Sequence, residues 1–261
     1  MIRPAMFPIV MTLLTVTLAA PLAVAQHAGD IFLQLNYLGR ICTARIDPDG
    51  GGIFNNARVF SAEFGESPNF TNDPGMDSDP GTFAVGTAIG FNIRRALRKW
   101  DGTDFSQIPE ERIRVRLAIL GPVFSPETDE VVPGFAMPVN TQGEFHHHPG
   151  FTLLEPASDG VYLLELELWS TQEGILPSRP YWMVFNQNES EAVHAEAIQW
   201  VIDNAVGCVS DFDASGFVDT DDFDDFVRAF EAGDFTADVD GTGFVDTDDF
   251  DFFVHAFESG C

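Results

Sequence analysis

With 261 residues, 45% of them hydrophobic, the chain is long enough to bury a sizeable core and to form two domains. Its 41 acidic residues against 13 basic ones leave a formal net charge of −28, which excludes nucleic acid and an anionic membrane surface as partners, because both are polyanions. Three cysteines, Cys42, Cys208 and Cys261, suit an oxidising compartment.

In chain order, residues 1–25 read as a secretory signal: Arg3, an apolar run from Ala5 to Ala20, and Ala23-Val24-Ala25 as a small-residue cleavage site ahead of Gln26. No later apolar stretch is long enough to span a bilayer, so the exported chain is expected without a membrane span, secreted or at the cell surface. Residues 26–207 read as short strands between turns. Residues 31–35 and 39–46 make a first pair, and residues 57–64 a third strand. Residues 65–88 are rich in Gly, Pro, Asp and Ser and read as a long solvated loop, with Asp73, Asp77 and Asp79 in it. Extension resumes at Ile89 to Ile93, and Trp100-Asp101-Gly102 marks a turn.

The clearest strand signals are two. From Arg112 to Ile119, arginines alternate with aliphatics. From Val161 to Trp169, Leu164, Leu166 and Leu168 alternate with Glu165 and Glu167. One wet face on each predicts an antiparallel β-sandwich, with the arginine face of the first opposite the glutamate face of the second. A last strand, Tyr181 to Phe185, precedes one helix over residues 189–206 that packs on the sandwich.

Between these strands stand His146, His147 and His148. On an extended segment His146 and His148 point to one side, and with a third donor they offer a zinc or copper site. His27 is the candidate third donor, with His194 on the helix more remote. The segment His27-Ala28-Gly29-Asp30-Ile31, together with His146, His148 and Gly160-Val161-Tyr162, resembles the repeat of bacterial surface-anchored cell-wall proteins encoded beside metal-uptake transporters. That resemblance implies an extracellular β-sandwich in which His27, His146 and His148 meet in space.

The last fifth of the chain writes one pattern twice. Asp211, Asp213, Ser215, Phe217, Asp219 and Asp222 stand at positions 1, 3, 5, 7, 9 and 12 of one loop, and Asp238, Asp240, Thr242, Phe244, Asp246 and Asp249 at those of the next. Calcium takes six to eight oxygens at flexible geometry, and this spacing wraps one ion per loop, the phenylalanines offering their carbonyls. Gly216 and Gly243 fall at position 6, where the chain turns sharply, and Val218 and Val245 at position 8 are placed to pair the loops. Phe223, Phe226, Val227 and Phe230, then Phe250, Phe253, Val254 and Phe257, follow at helical spacing. Residues 208–261 hold sixteen acidic residues against Arg228 alone, so the segment is expected to loosen without cations and condense with two calcium ions.

This duplicated loop-plus-helix, an EF-hand-type unit without its entering helix, resembles the type I dockerin, the module that attaches extracellular polysaccharide-degrading proteins to cohesins. The resemblance implies partner-reading positions at Thr220, Asp221, Arg228, Thr247, Asp248 and His255, and a disulfide between Cys208 and Cys261 clasping two ends that lie close together. Ser215 and Thr242 at position 5, where dockerins usually carry Asp or Asn, predict weaker ion binding.

The fold expected is therefore mainly β, an antiparallel sandwich followed by a small helical dockerin-like module. The function read from it is a secreted, non-catalytic binding or scaffold-associated protein of bacterial extracellular type. Its expected partners are a cohesin-like protein and a polysaccharide or other cell-surface ligand. The alternative is a carbohydrate-active enzyme carried by the module, a glycoside hydrolase or a metal-dependent polysaccharide oxidase. No catalytic residue emerges: Glu165 and Glu167 share one strand face rather than flanking a cleft, no nucleophile elbow or His-Glu-x-x-His helix occurs, and cleavage before Gln26 denies a copper oxidase its amino-terminal histidine.

Overall fold

A computed structural model of the chain describes residues 29–47, 52–213 and 215–259. The expected signal segment, Gln26, His27 and Cys261 lie outside the described residues. The strands, in order, are β1 (Ile31–Leu35), β2 (Ile41–Ile46), β3 (Ile53–Phe54), β4 (Val59–Glu63), β5 (Phe70–Thr71), β6 (Met76–Asp77), β7 (Ala88–Ile93), β8 (Arg98–Lys99), β9 (Ile113–Leu117), β10 (Leu120–Phe124), β11 (Val132–Pro138), β12 (Gly150–Leu153), β13 (Gly160–Ser170) and β14 (Tyr181–Gln187). Three helices follow: α1 (Glu191–Asn204), α2 (Thr220–Ala232) and α3 (Thr247–Ser259).

The strands form three sheets, ordered β3-β2-β1-β6, β10-β9-β12-β5 and β11-β7-β13-β14-β4, with β8 also pairing β13. The sheets are not purely antiparallel as expected: β6 runs parallel to β1, and β4 parallel to β14. Both parallel pairs join segments far apart in sequence, which alternation within a strand does not reveal.

β13 organises the body. Its even-numbered side chains, Tyr162, Leu164, Leu166 and Leu168, enter a core with Ile31, Ile113, Phe151, Met183 and Phe185, drawn from all three sheets. Its odd-numbered Val161 and Leu163 enter a second core with Trp182, Val184, Trp100, Phe105 and Ala197 and Val201 of α1. The strand is thus buried on both faces, and the wet glutamate face expected for it is covered. Nor does that face meet the β9 arginines. β9 and β13 lie in different sheets, and Arg114 Nη2 donates instead to Thr152 Oγ1 on β12 at 3.2 Å. The partners of Glu165 and Glu167 come from the chain leaving β7, Arg95 Nε at 2.6 Å and Arg94 Nη1 at 3.2 Å, because Ile93 pairs with Leu166.

β9 ends earlier than its alternation predicts: Ala118 takes a left-handed φ of 48° and turns the chain into β10, leaving Ile119 exposed. The stretch 65–88, expected as open loop, carries β5 and β6, and its Asp77 is 1% exposed rather than solvated. Cys42 is a free thiol, and burial pushes its pKa up to about 11, which suits an inert residue rather than a nucleophile.

Residues after α1 form a third core. Phe226 of α2 stacks on Phe253 of α3 with ring centroids 3.9 Å apart, Phe230 meets Phe250 and Phe223 meets Phe257, so the two helices pack antiparallel. Phe212 sits edge-on to both stacked rings. This unit rests on the body. Tyr37 N donates to Asp234 Oδ2 at 2.8 Å, and the Asn56 amide donates to the carbonyls of Phe235, Thr236 and Asp238 at 3.0–3.3 Å. A cleft of about 510 Å³ runs between the two, lined among others by Arg40, Arg58, Arg179 and Phe252. No helix among the described residues is long and apolar enough to cross a membrane.

Candidate functional site

The two loops ahead of α2 and α3 repeat one construction. Gly216 and Gly243, both at φ 89°, occupy the left-handed region that a side chain disfavours, so each loop folds back on itself at position 6. Gly216 N then donates to both carboxylate oxygens of Asp211, and Gly243 N to Asp238 Oδ2. At the far end of each loop, one fully buried aspartate gathers backbone donors. Asp222 accepts from Asp213 N at 3.0 Å and Asp219 N at 2.9 Å, and Asp249 from Val239 N, Asp240 N and Asp246 N. The Asp222–Asp219 bond is half of a capping box that starts α2, and Asp219 Oδ1 accepts from Asp221 N, just as Asp246 Oδ1 accepts from Asp248 N at α3. Ligand loop and helix start are thus one hydrogen-bonded structure.

The outcome is two matched clusters. Ligand atoms of Asp211, Asp213 and Asp222 lie within 4.8 Å of one another, and so do those of Asp238, Asp240 and Asp249. Ser215 Oγ lies 3.3 Å from the Phe217 carbonyl oxygen, while the Phe217 and Phe244 side chains point outward, each 74% exposed. Asp219 and Asp246 belong to neither tight cluster and serve as helix caps. Thr242 is exposed, with its N–H donating to Asp240 Oδ1. Val218 and Val245 do not bridge the loops among the described residues; Val245 packs on the third core and Val218 is 37% exposed.

The two loops differ in environment. Asp238 is 1% exposed, its Oδ2 accepts from Asn55 Nδ2 at 3.4 Å across the body contact, and its buried Oδ1 has no hydrogen-bond partner. Burial raises its pKa above the ordinary carboxylate range, opposed by the Gly243 N–H and Asn55 and reinforced by Asp249 and Asp240. Desolvation pushes Asp213 up, but the Ser215 N–H, the Ser215 hydroxyl and the positive Arg179 outweigh it, and Asp213 is instead held low. Arg179 also lies over the Phe212 ring, 5.8 Å from its centre.

All six residues expected to read a partner, Thr220, Asp221, Arg228, Thr247, Asp248 and His255, are exposed, and only Arg228 carries an ion pair, with Asp225 at 3.0 Å. Cys208 is disulfide-bonded.

The histidines divide. His147 Nε2 lies 2.8 Å from the Pro138 carbonyl and its ring stands edge-on to Phe145, a packing role. His146 and His148 share a side as expected, ring centroids 5.4 Å apart. His194 is buried in α1 with Nε2 2.9 Å from the Val184 carbonyl; its nearest acids are Glu63 and Glu191, and it does not join the other histidines. Sequence reasoning named Asp30 in the first histidine motif and Asp77 in a solvated loop without placing either beside His146 and His148, and it passed over Asn55 and Asn56 beside the second loop. Each is a lone polar residue with no repeated spacing to mark it.

The chain matches no protein-family model, no curated protein and no solved structure.

Proposed function

We propose that the chain is an exported, non-catalytic binding protein whose C-terminal pair of loop-helix units takes two calcium ions and then offers the exposed ends of α2 and α3 to a protein partner of cohesin type. The observation that carries this reading is the Asp238 carboxylate. It is 1% exposed, converges with Asp240 and Asp249, and has a buried oxygen with no donor. A buried anionic oxygen without a partner is costly, and three converging carboxylates repel one another. One hard divalent cation with oxygen preference relieves both penalties. The second half of the reading is supported by the exposure of Thr220, Asp221, Thr247, Asp248 and His255 while the body covers other parts of the module.

Calorimetry on the mature chain tests it. Two calcium ions are expected to bind; Asp222→Ala and Asp249→Ala each remove one, and the double variant removes both. Unchanged stoichiometry in both single variants sinks the ligand assignment. A cohesin pull-down that is calcium-dependent with the parent chain and lost in Thr220→Arg/Thr247→Arg tests the docking half.

A further inference from the structure

Helix α1 packs across β4 and β14, and both strands present alternate residues to it. Val59 on β4 and Trp182 and Val184 on β14 enter the second core with the helix. The parallel register pairs Trp182 with Val59, Val184 with Ser61 and Asn186 with Glu63, so Glu63 and Asn186 stand on that same face at the strand ends. Glu63 is exposed, while Asn186 is buried and donates Nδ2 to Glu63 Oε1 at 3.3 Å. Ser190 caps the helix by accepting from Val193 N, which makes Glu191 its first residue. His194 follows three places on, and residues three apart share a helix face. One imidazole and two carboxylates are gathered in this way: ligand atoms of Glu63, Glu191 and His194 lie within 4.8 Å of one another.

His194 sets the cluster apart from ordinary surface acids. It is 1% exposed, and its Nε2 lies 2.9 Å from the Val184 carbonyl oxygen. A carbonyl only accepts, so Nε2 carries the proton, and in the neutral ring Nδ1 carries the lone pair. No other side-chain hydrogen bond is made by His194 among the described residues. Helical side chains lean toward the helix N-terminus, which directs the ring to the turn that holds Glu191. A lone pair facing two carboxylates is repelled unless positive charge stands between them, either a proton on Nδ1 or a metal ion.

The surroundings favour the metal. An imidazole whose second nitrogen donates to a backbone carbonyl is the arrangement that orients metal-bound histidines, and a carboxylate steadied by a neighbouring amide, as Glu63 is by Asn186, is its counterpart. A nitrogen among the donors selects transition metals over calcium and magnesium, which take oxygen sets. Donor atoms around a tetrahedral zinc stand ~3.4 Å apart, so rotation of two exposed glutamates closes a set already within 4.8 Å. The geometry points to a zinc-class divalent ion held by His194 Nδ1 and the carboxylates of Glu63 and Glu191, independent of the calcium loops.

Zinc titration of the purified chain in saturating calcium tests this. The readout is a difference between variants, so ions taken up by the loops or by residues 146–148 cancel. The parent chain is expected to bind one zinc more than Glu63→Gln, Glu191→Gln or His194→Gln, the last keeping an amide donor for the Val184 carbonyl. Nitrogen-15 spectra of the parent chain should show zinc shifting the His194 Nδ1 resonance while the proton on Nε2 is retained. Equal zinc counts in the parent and all three variants overturn the proposal and leave His194 an imidazolium between two glutamates. Loss in His194→Gln alone also overturns it, because the two carboxylates then hold nothing. Thermal unfolding of each metal-free variant separates loss of the site from loss of the fold. Should His194→Gln fail to fold, the two glutamate variants carry the test, since both side chains are exposed.

Discussion

Asn56 concentrates three of the hydrogen bonds that join the two halves of the molecule. Its backbone is left-handed, with φ 56°, a conformation that asparagine tolerates better than most residues, and its amide reaches three carbonyls at the start of the second loop. Replacing it with alanine would mix two effects, because alanine loses the amide and also strains the backbone. Asn56→Gly removes the hydrogen bonds without straining the left-handed backbone. Leaving those carbonyls without their donor is expected to cost about 1–3 kcal/mol, seen as a lower urea midpoint for the helical signal of the calcium-loaded chain; a midpoint within error of the parent would show that the contact contributes nothing. The two acidic clusters, Asp211, Asp213 and Asp222 and then Asp238, Asp240 and Asp249, were readable in the sequence because they recur at fixed spacing. Asn55, Asn56, Asp30 and Asp77 were not readable, because each acquires its meaning from a partner more than 40 residues away.

The same distinction holds for whole elements. β1, β2, β7, β14 and the helices α1, α2 and α3 were legible, since each shows a run or a period that the core demands: residues two apart on strands, three and four apart on helices. β10 and β11 were not. β10 carries Pro122 and shifts register between Leu120 and Val123. β11 carries Pro133 and Pro138 and shifts between Pro133 and Ala136, at the edge of its sheet, where a missing N–H is tolerated. β13 was found but its faces were misread, because Glu165 and Glu167 looked solvated while arginines and α1 cover that side. A glycine inside a strand is likewise mute in sequence. Gly90 of β7 pairs with Trp169 of β13, and a Cβ at position 90 would come within 2.2 Å of the indole. Gly90→Ala must push that ring aside. Overpacking of this kind is expected to cost about 1–3 kcal/mol, with Gly90→Ala/Trp169→Leu recovering part of the loss in thermal unfolding; equal destabilisation by the single and double variants would show that the indole is not the obstacle.

Across the whole molecule, charge is divided unevenly between the two halves. The segment from Cys208 onward carries sixteen acids and one arginine, yet it packs an aromatic core against a body that holds most of the cations. Arg179 is one of the few positive groups facing it, close enough to Asp211 and Asp213 for their charges to act on its own proton affinity, though burial outweighs them and lowers its pKa. One buried guanidinium does not balance two clusters of three carboxylates. Chelation should therefore loosen the segment selectively: amide exchange in α2 and α3 is expected to quicken on adding EDTA, while β13 and β14, whose two cores contain no loop ligand, keep their protection. The cause can be separated from a general loss of metal by salt. About 1 M sodium chloride shortens the screening length to ~3 Å, so if repulsion drives the loosening, salt without calcium should restore part of the protection. The Asn56 contact leaves the segment tethered throughout, so the change should be local opening rather than release. Identical exchange in EDTA and in calcium would mean that the aromatic stack alone holds α2 to α3, and that the acidic loops do not govern folding of the segment.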